Sequence, residues 1–334
     1  AGFVAREAFL AQILVLVIAS FVLIELLFAV LVVGDAWRVR EVLGGGRPVV
    51  ILFTSIILLC RALMLYRGKQ RINRDKKAYD ACWELVKDDT SSLRQIQIIT
   101  ASLGIPDEKP RQAIPTKSST RTTAVFLKHK KMTKHQAPDA EDHVVRSLDQ
   151  LYCIALFLQP LLLTKVKQWA LASNGHFRLF ETSEGLKYAK WSDARNDPAL
   201  IRKIKWGGVK GVDRSIEKLC RSYQSQVSKL LDVCRECICF DTLADITRCL
   251  EAVSRDLEVE VLRCKNRFSG DYTVWETCGY RDLMLNLRIV TSESIHQGLD
   301  GHVCEVQLVL KSFMDLRTEE GHARYKMYRD LIGK

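Results

Sequence analysis

The chain has 334 residues and a mass of 38.1 kDa, which is enough for one large domain or two ordinary ones. Its composition, 48% apolar and 27% charged, excludes a wholly disordered or collagen-like chain. The net charge is +11, but residues 67–140 alone carry 16 basic against 8 acidic side chains. Because the other segments are nearly neutral, we expect neither a general phosphate-binding surface nor a nucleic-acid partner.

Two apolar segments at the start of the chain predict transmembrane helices over residues ~8–33 and ~48–66. Each is long enough to cross about 30 Å of hydrocarbon, with few ionisable interruptions. Six basic residues follow the second segment at once: Arg67, Lys69, Arg71, Arg74, Lys76 and Lys77. Since positive flanks mark the cytosolic side, we predict an integral membrane hairpin over residues 1–66, with the remaining chain in the cytosol. The sequence does not specify which membrane.

Residues 67–140 are predicted to be a basic juxtamembrane segment followed by a flexible linker. Two short helices, AYDACWELV and SLRQIQIITASL, are predicted early in this region, the second capped by Ser91 or Ser92. Residues 104–140 are rich in proline and charge and poor in apolar side chains, a composition that does not form a packed core. Two interpretations of the basic residues stay open: contact with anionic lipid, particularly at 67–77, or a solvated segment without a partner.

Regular patterns return near Val144, and residues 141–334 predict an α+β domain in which helices flank a mixed β-sheet. The apolar segment around Pro160 is predicted to be a buried or amphipathic helix rather than a third membrane span. Further helices are predicted over residues 215–229, DTLADITRCLEAV and residues 311–332. Strands are predicted for LLDVCRECICF, VEVLRC, LMLNLRIV and HVCEVQLVL, which alternate or run apolar over strand lengths.

Eleven cysteines are scattered through the chain, an odd number that predicts reduced thiols in a reducing compartment. Cys234, Cys237 and Cys239 lie close together, as metal ligands would. They lack a second cysteine pair and occupy an apolar run, so packing in the core is the favoured interpretation.

Two acidic residues of the predicted strands are candidates for a metal site. Asp232 opens one strand, and Glu305 stands alone within another, apolar one. A charged side chain is costly at such a position unless it meets a cation or a metal. Carboxylates on two strands can converge and hold Mg²⁺. The alternative for each is an exposed acid at a sheet edge or a salt bridge with Arg288.

Six short motifs then occur in series: VKGVDRSIEK, LLDVCRECICF, RCKNRF, GYRDLMLNL, CEVQL and GHARY. In this order and spacing they resemble the RelA/SpoT-type nucleotidyltransferase domain of alarmone synthetases, and its divergent eukaryotic branch rather than the bacterial enzymes. The resemblance covers residues ~145–334. It implies a nucleotidyltransferase-like fold that transfers pyrophosphate from ATP to the 3′-hydroxyl of GDP or GTP.

The resemblance also implies roles for individual residues. Asp232 and Glu305 would bind Mg²⁺, and Glu305 would take the proton from the attacking hydroxyl. Tyr280 would stack on guanine. The other nucleotide-binding residues implied in this way are Lys210, Lys218, Arg235, Arg263, Lys265, Arg267, Arg281, Gln307 and His322.

Three positions depart from the pattern of this family. Met284 stands where its motif usually has His, Asp282 where it has Ser, and Cys237 where it has the Arg that stacks on adenine. These departures keep two alternatives open beside an active synthetase. One is a catalytically inactive module for nucleotide binding or scaffolding, and the other is an accessory subunit of a membrane complex.

Overall fold

The computed structural model describes Leu16, Ser20, Leu23, Leu27 and residues 47–103, 110–114, 144–180, 187–318, 320, 321, 323 and 324. Most of the first predicted span, most of the predicted linker and His322 lie outside the described residues. The chain divides into two compact units. One comprises Ala1–Lys77 with Thr318–Lys334, and the other comprises Ala78–Arg317.

Helix α1 (Arg47–Glu84) runs without interruption for 38 residues. It therefore joins three segments that the sequence suggested separately: the second apolar span, the basic stretch and the first short helix. Its first half leaves large apolar side chains exposed, among them Phe53 and Leu59. Within the described part of the chain, no helix combines the length and apolar character needed to cross a membrane. The hairpin over residues 1–66 stays a prediction.

The second unit includes residues that the sequence assigned to the linker. Helix α2 (Thr90–Ser102) begins after Asp89, whose side chain accepts a hydrogen bond from the Ser92 amide at 3.1 Å. The cap is therefore Asp89 rather than Ser91 or Ser92. Helix α3 (Leu148–Ala172) contains Pro160 and buries Leu151, Leu158 and Leu162, as predicted for a core helix.

The described strands form one mixed sheet, which confirms the predicted α+β class. They are β1 (His176–Arg178), β2 (Tyr188–Lys190), β3 (Arg235–Phe240), β4 (Val259–Asn266), β5 (Leu283–Ile289) and β6 (Cys304–Leu310). The order is β2-β1-β3-β6-β5-β4. The β3 and β6 strands are parallel, and the other neighbours are antiparallel. Parallel pairing of β3 and β6 brings the two motifs that contain Asp232 and Glu305 side by side.

The remaining described helices are α4 (Trp191–Ala194), α5 (Pro198–Lys203), α6 (Val212–Ser222), α7 (Leu243–Arg255), α8 (Ser292–His296) and α9 (Lys311–Asp315). Two of them are shorter than predicted. The helix predicted over residues 215–229 corresponds to α6, which ends at Ser222. It ends there because Gln224 and Ser225 adopt left-handed backbone conformations with φ of 50° and 62°. The helix predicted over residues 311–332 is interrupted. Its first part, α9, ends at Asp315, Arg317 turns back toward β6, and Glu320, Gly321, Ala323 and Arg324 are again helical.

The two faces of the sheet have different compositions. One face packs against α3 through Ile238 of β3, and we call it the apolar face. Helix α7 contributes Leu243, Ile246, Leu250 and Val253 to the core, as its pattern predicted. Because side chains alternate along a strand, the neighbours of these strand residues point the other way. That second side holds charged and amide side chains, and we call it the polar face.

Candidate functional site

Two rows of side chains cross the polar face at successive positions of four strands. The first row, which we call the carboxylate row, consists of Arg235, Glu305, Asn286 and Arg263. The second row consists of Cys237, Gln307, Met284 and Lys265. Ionisable groups at the ends of the carboxylate row flank one buried acid and one buried amide. A concentration of polar side chains on a sheet face is what a binding site for a charged ligand requires.

Asp232 lies beside the carboxylate row but not in a strand. The predicted strand LLDVCRECICF forms only from Arg235 onward, and Asp232 occupies the loop that leads into it. The Nζ atoms of Lys210 and Lys218 lie 2.6 and 3.0 Å from its Oδ2 atom. Its Oδ1 atom is buried and has no hydrogen-bond partner among the described residues. One oxygen is therefore held by two ammonium groups, and the other remains available for a ligand.

The charges around Asp232 determine its protonation state. Burial opposes ionisation of this carboxyl, but the charges of Lys218 and Lys210 outweigh burial and hold the pKa of Asp232 below its ordinary value. Burial dominates for Lys210, and the pKa of this amine is lowered. For Lys218, the carboxylate of Asp232 outweighs burial, and the pKa is raised. Asp232 is thus an anion at neutral pH.

The pKa of Glu305, in the carboxylate row, is shifted in the direction opposite to that of Asp232. Its side chain is buried, and burial followed by the charge of Asp232 raises the pKa of Glu305 above its ordinary value. Gln307 donates from Nε2 to its Oε1 atom at 3.0 Å. Arg288, the alternative partner that the sequence offered, forms an ion pair with Glu260, whose Oε2 atom lies 3.9 Å from its Nη1 atom. Glu305 therefore binds a proton more readily than an ordinary glutamate does.

Asn286 was missed by the sequence analysis. This side chain lies between Glu305 and Arg263 in the carboxylate row and is only 1% exposed. Neither end of its amide has a hydrogen-bond partner among the described residues. Buried polar groups are almost always hydrogen-bonded, so an unpartnered amide indicates a missing ligand or water. A polar residue within the apolar run LMLNLRIV was the available signal.

The GYRD segment is held by protein contacts. The Arg281 guanidinium stacks over the Trp83 ring at 3.9 Å and donates to the Arg267 carbonyl at 2.8 Å, so Arg281 supports the fold here. Arg267 forms an ion pair with Asp282. The Tyr280 ring meets the edge of Tyr79 at a centroid distance of 5.8 Å, and the Arg317 guanidinium lies 5.7 Å from it.

The predicted site residues therefore fall into three groups. The structure brings together Asp232, Glu305, Lys210 and Lys218 and places Arg235, Arg263, Lys265 and Gln307 on the same polar face. It places Tyr280, Arg267 and Arg281 in the adjoining segment with protein partners. His322 lies outside the described residues. Arg317, which donates from Nη1 to Gln307 at 3.3 Å, is a further member that no motif indicated.

Metal binding at this site would depend on two carboxylates. Among the described residues, no group of three or more His, Cys, Asp or Glu side chains is arranged to hold a metal ion. Mg²⁺ is commonly bound by one or two carboxylates, with water and substrate phosphate completing its coordination. The unpartnered Oδ1 atom of Asp232 near Glu305 fits such a site. Cys234 and Cys239 are buried in the core, in agreement with their predicted packing role, whereas Cys237 is only partly buried and lies beside Gln307 on the polar face.

No protein-family model matches the chain, and no curated protein matches it. Solved structures that match part of this chain include the small alarmone synthetase 1 from Bacillus subtilis bound to its product pppGpp, at 20% identity and a TM-score of 0.29. That match covers 36% of this chain and 60% of the synthetase. The protein smu.1046c from Streptococcus mutans UA159 matches at 14% identity and a TM-score of 0.31. This match covers 55% of this chain and 84% of smu.1046c. A chain from the complex between the Type VI effector Tas1 and its immunity protein also matches, at 12% identity and a TM-score of 0.30. That match covers 55% of this chain and 93% of the other.

Proposed function

We propose that this chain is a RelA/SpoT-like nucleotidyltransferase that transfers pyrophosphate from ATP to the 3′-hydroxyl of GDP or GTP. The observation that carries the proposal is the buried pair Asp232 and Glu305, whose pKa values are shifted in opposite directions. Environments that separate the pKa values of two neighbouring acids are typical of acid–base chemistry. The motif series GYRDLMLNL and CEVQL, which resembles the family, supports the choice of reaction.

Asp232 and Glu305 are the residues that would hold Mg²⁺. When bound, Mg²⁺ supplies positive charge that offsets the charge on the transferring phosphates. Lys210 and Lys218 hold Asp232 in place through its Oδ2 atom. The unpartnered Oδ1 atom of Asp232 gives this side chain a free coordination position.

The chain's own residues account for the remaining chemistry. Glu305 accepts the proton of the 3′-hydroxyl while the oxygen of that hydroxyl attacks the β-phosphorus of ATP. The bond from that phosphorus to the oxygen shared with the α-phosphate breaks, and AMP leaves. Arg235 and Arg263 flank the acid in the carboxylate row, where their guanidinium groups are suited to phosphate oxygens.

A second candidate function is guanine-nucleotide binding without turnover. It is favoured by the second row of the polar face, where Cys237 and Met284 flank Gln307 and supply no charge.

Membrane attachment through residues 1–66 is part of the proposal and is supported by the two apolar segments and the basic residues that follow them. The soluble domain would then face the cytosol. Anionic lipid would attract residues 67–77 at about 1 kcal/mol for each well-placed charge.

Turnover by the full chain in mild detergent tests the proposal. The protein is incubated with Mg²⁺, ATP and GDP or GTP, and nucleotides are separated by anion exchange, with Glu305→Gln as the matched control. We expect AMP and a more anionic guanosine species in equal amounts, and neither with the control. Guanine-nucleotide binding without product would favour the second candidate. Absence of both binding and turnover would overturn the two candidates together.

A further inference from the structure

Gln112 is a buried residue of the segment that the sequence assigned to a flexible linker. Its side chain is inaccessible to solvent, and its amide makes three hydrogen bonds. The Nε2 atom donates to the Leu230 carbonyl at 2.8 Å and to the Val303 carbonyl at 3.0 Å. The Oε1 atom accepts from the Val303 amide at 2.7 Å. One side chain therefore joins two segments that are distant in sequence.

The two segments are those that carry the buried acids. Leu230 precedes Asp232 by two residues, and Val303 precedes Glu305 by two residues. The loop that contains Asp232 has no strand partner at Leu230, so the Gln112 amide supplies a fixed hydrogen bond there. Gln112 contacts neither carboxylate, and its effect on them is through the backbone.

We propose that Gln112 is a positioning residue that sets the separation of Asp232 and Glu305. This inference rests on the proposed function, since the separation matters only if the two acids share a ligand. Metal affinity depends on the geometry of the donor atoms, and residues behind the ligands tune it. The upstream segment is therefore a working part of the site.

The requirement for glutamine follows from the hydrogen bonds. The position needs two donated hydrogen bonds and one accepted one, and a side-chain amide offers both kinds of atom. Glutamate would place an acceptor opposite two carbonyl oxygens. Methionine has a similar length and no strong hydrogen-bonding atom, so Gln112→Met removes the links while filling the space.

Backbone hydrogen bonds hold the segment independently of this side chain. The Gln112 amide donates to the Ser228 carbonyl at 2.8 Å, and its carbonyl accepts from the Val145 amide at 3.0 Å. The Ala113 amide donates to the Gly301 carbonyl at 3.3 Å. We therefore expect Gln112→Met to keep the segment docked and the protein folded.

The test uses Mn²⁺ as a probe for the Mg²⁺ site and measures its binding to the full chain by electron paramagnetic resonance. It compares wild type, Gln112→Met and Val253→Ala. Val253 is buried in α7, so its truncation is a control for general destabilisation. We expect Gln112→Met to weaken Mn²⁺ binding about tenfold or more, and Val253→Ala to lower the melting temperature without changing the Mn²⁺ dissociation constant.

The outcomes separate the two hypotheses. Wild type that binds Mn²⁺, with Gln112→Met within twofold of it, would overturn the positioning role and leave the proposed function standing. Equal weakening by Gln112→Met and Val253→Ala would also overturn the positioning role, because any loss of stability would then suffice. Wild type that binds no Mn²⁺ would overturn the proposed metal site, and the positioning role with it.

Discussion

The two faces of the sheet each bury a glutamate on neighbouring parallel strands, and the two differ in their partners. Glu236 of β3 lies on the apolar face and accepts from the Gly207 amide at 2.9 Å, the Gly208 amide at 3.3 Å and Gln159 at 2.5 Å. Glu305 of β6 lies on the polar face and accepts from Gln307 at 3.0 Å. Burial is the largest cause of a raised pKa for both carboxyls.

The difference lies in what surrounds each carboxyl. A side chain at Gly207 would place its Cβ atom 2.6 Å from the Arg235 carbonyl, so glycine allows the backbone to approach Glu236 and satisfy it. Around Glu305, the charge of Asp232 adds to the cost, and the adjacent amide of Asn286 has no partner among the described residues. A satisfied buried acid supports the fold, whereas an acid beside unpartnered groups indicates a site for a ligand.

Removing the charge of Asp232 should have the largest effect. Asp232→Asn leaves Lys210 and Lys218 without their buried counter-charge, which should lower the free energy of unfolding by about 3 kcal/mol and abolish Mg²⁺-dependent turnover. The two effects are measured by urea denaturation and by the nucleotide assay.

A buried pair away from the polar face provides the matched control for Asp232→Asn. Asp256 accepts from the Lys165 ammonium at 2.9 Å and from Trp169 at 3.0 Å, both on α3. Asp256→Asn should also destabilise the protein, yet keep turnover per folded molecule. Equal loss of turnover in both variants would mean that Asp232 acts only through stability.

Exchanging each buried glutamate for glutamine tests the comparison directly. Glu305→Gln should lower turnover at least about 100-fold, because a general base is lost. The same change should raise the melting temperature at a pH at which Glu305 is ionised, because burial and the charge of Asp232 make that ionised form costly. Glu236→Gln should cost about 1 kcal/mol, because one carboxylate acceptor becomes a donor facing backbone amides, and should leave turnover intact. The same loss of turnover in Glu236→Gln would break the distinction between the faces.

The sequence predicted strands β3 to β6 and singled out Glu305, but it predicted neither β1 and β2 nor all of the surroundings of the site. Glu305 stood out because β6 is otherwise apolar, and period-two patterns located β5 and β6. Asp232 was singled out as the acid that opens a predicted strand, but it lies in the loop before β3. Gln112 could not be predicted, because its partners lie 118 and 191 residues away and its own segment has the composition of a linker.

The pH dependence of turnover should separate the two acids. If Glu305 is the base, kcat/KM should fall as pH drops through a pKa above the ordinary value of 4.5. Because folding raises this pKa, the protonated form of Glu305 stabilises the fold at low pH, and that contribution is lost as pH rises through the raised pKa. The gap in unfolding free energy between Glu305→Gln and wild type should therefore widen with rising pH. A gap that is constant across this range would contradict a raised pKa for Glu305.

Asn286 offers the smallest effect on stability, and one of opposite sign to Asp232→Asn. Asn286→Leu replaces a buried amide that has no partner among the described residues with an apolar group of similar size. Since an unsatisfied buried amide is costly, the change should raise the free energy of unfolding by about 1 kcal/mol in urea denaturation. If this amide contacts the nucleotide, the same variant should bind GDP about tenfold more weakly in calorimetry. The loss is expected because one polar group of the nucleotide would be left without a hydrogen-bond partner. A variant that is stabilised and binds GDP as wild type does would restrict the binding surface to the charged members of the carboxylate row.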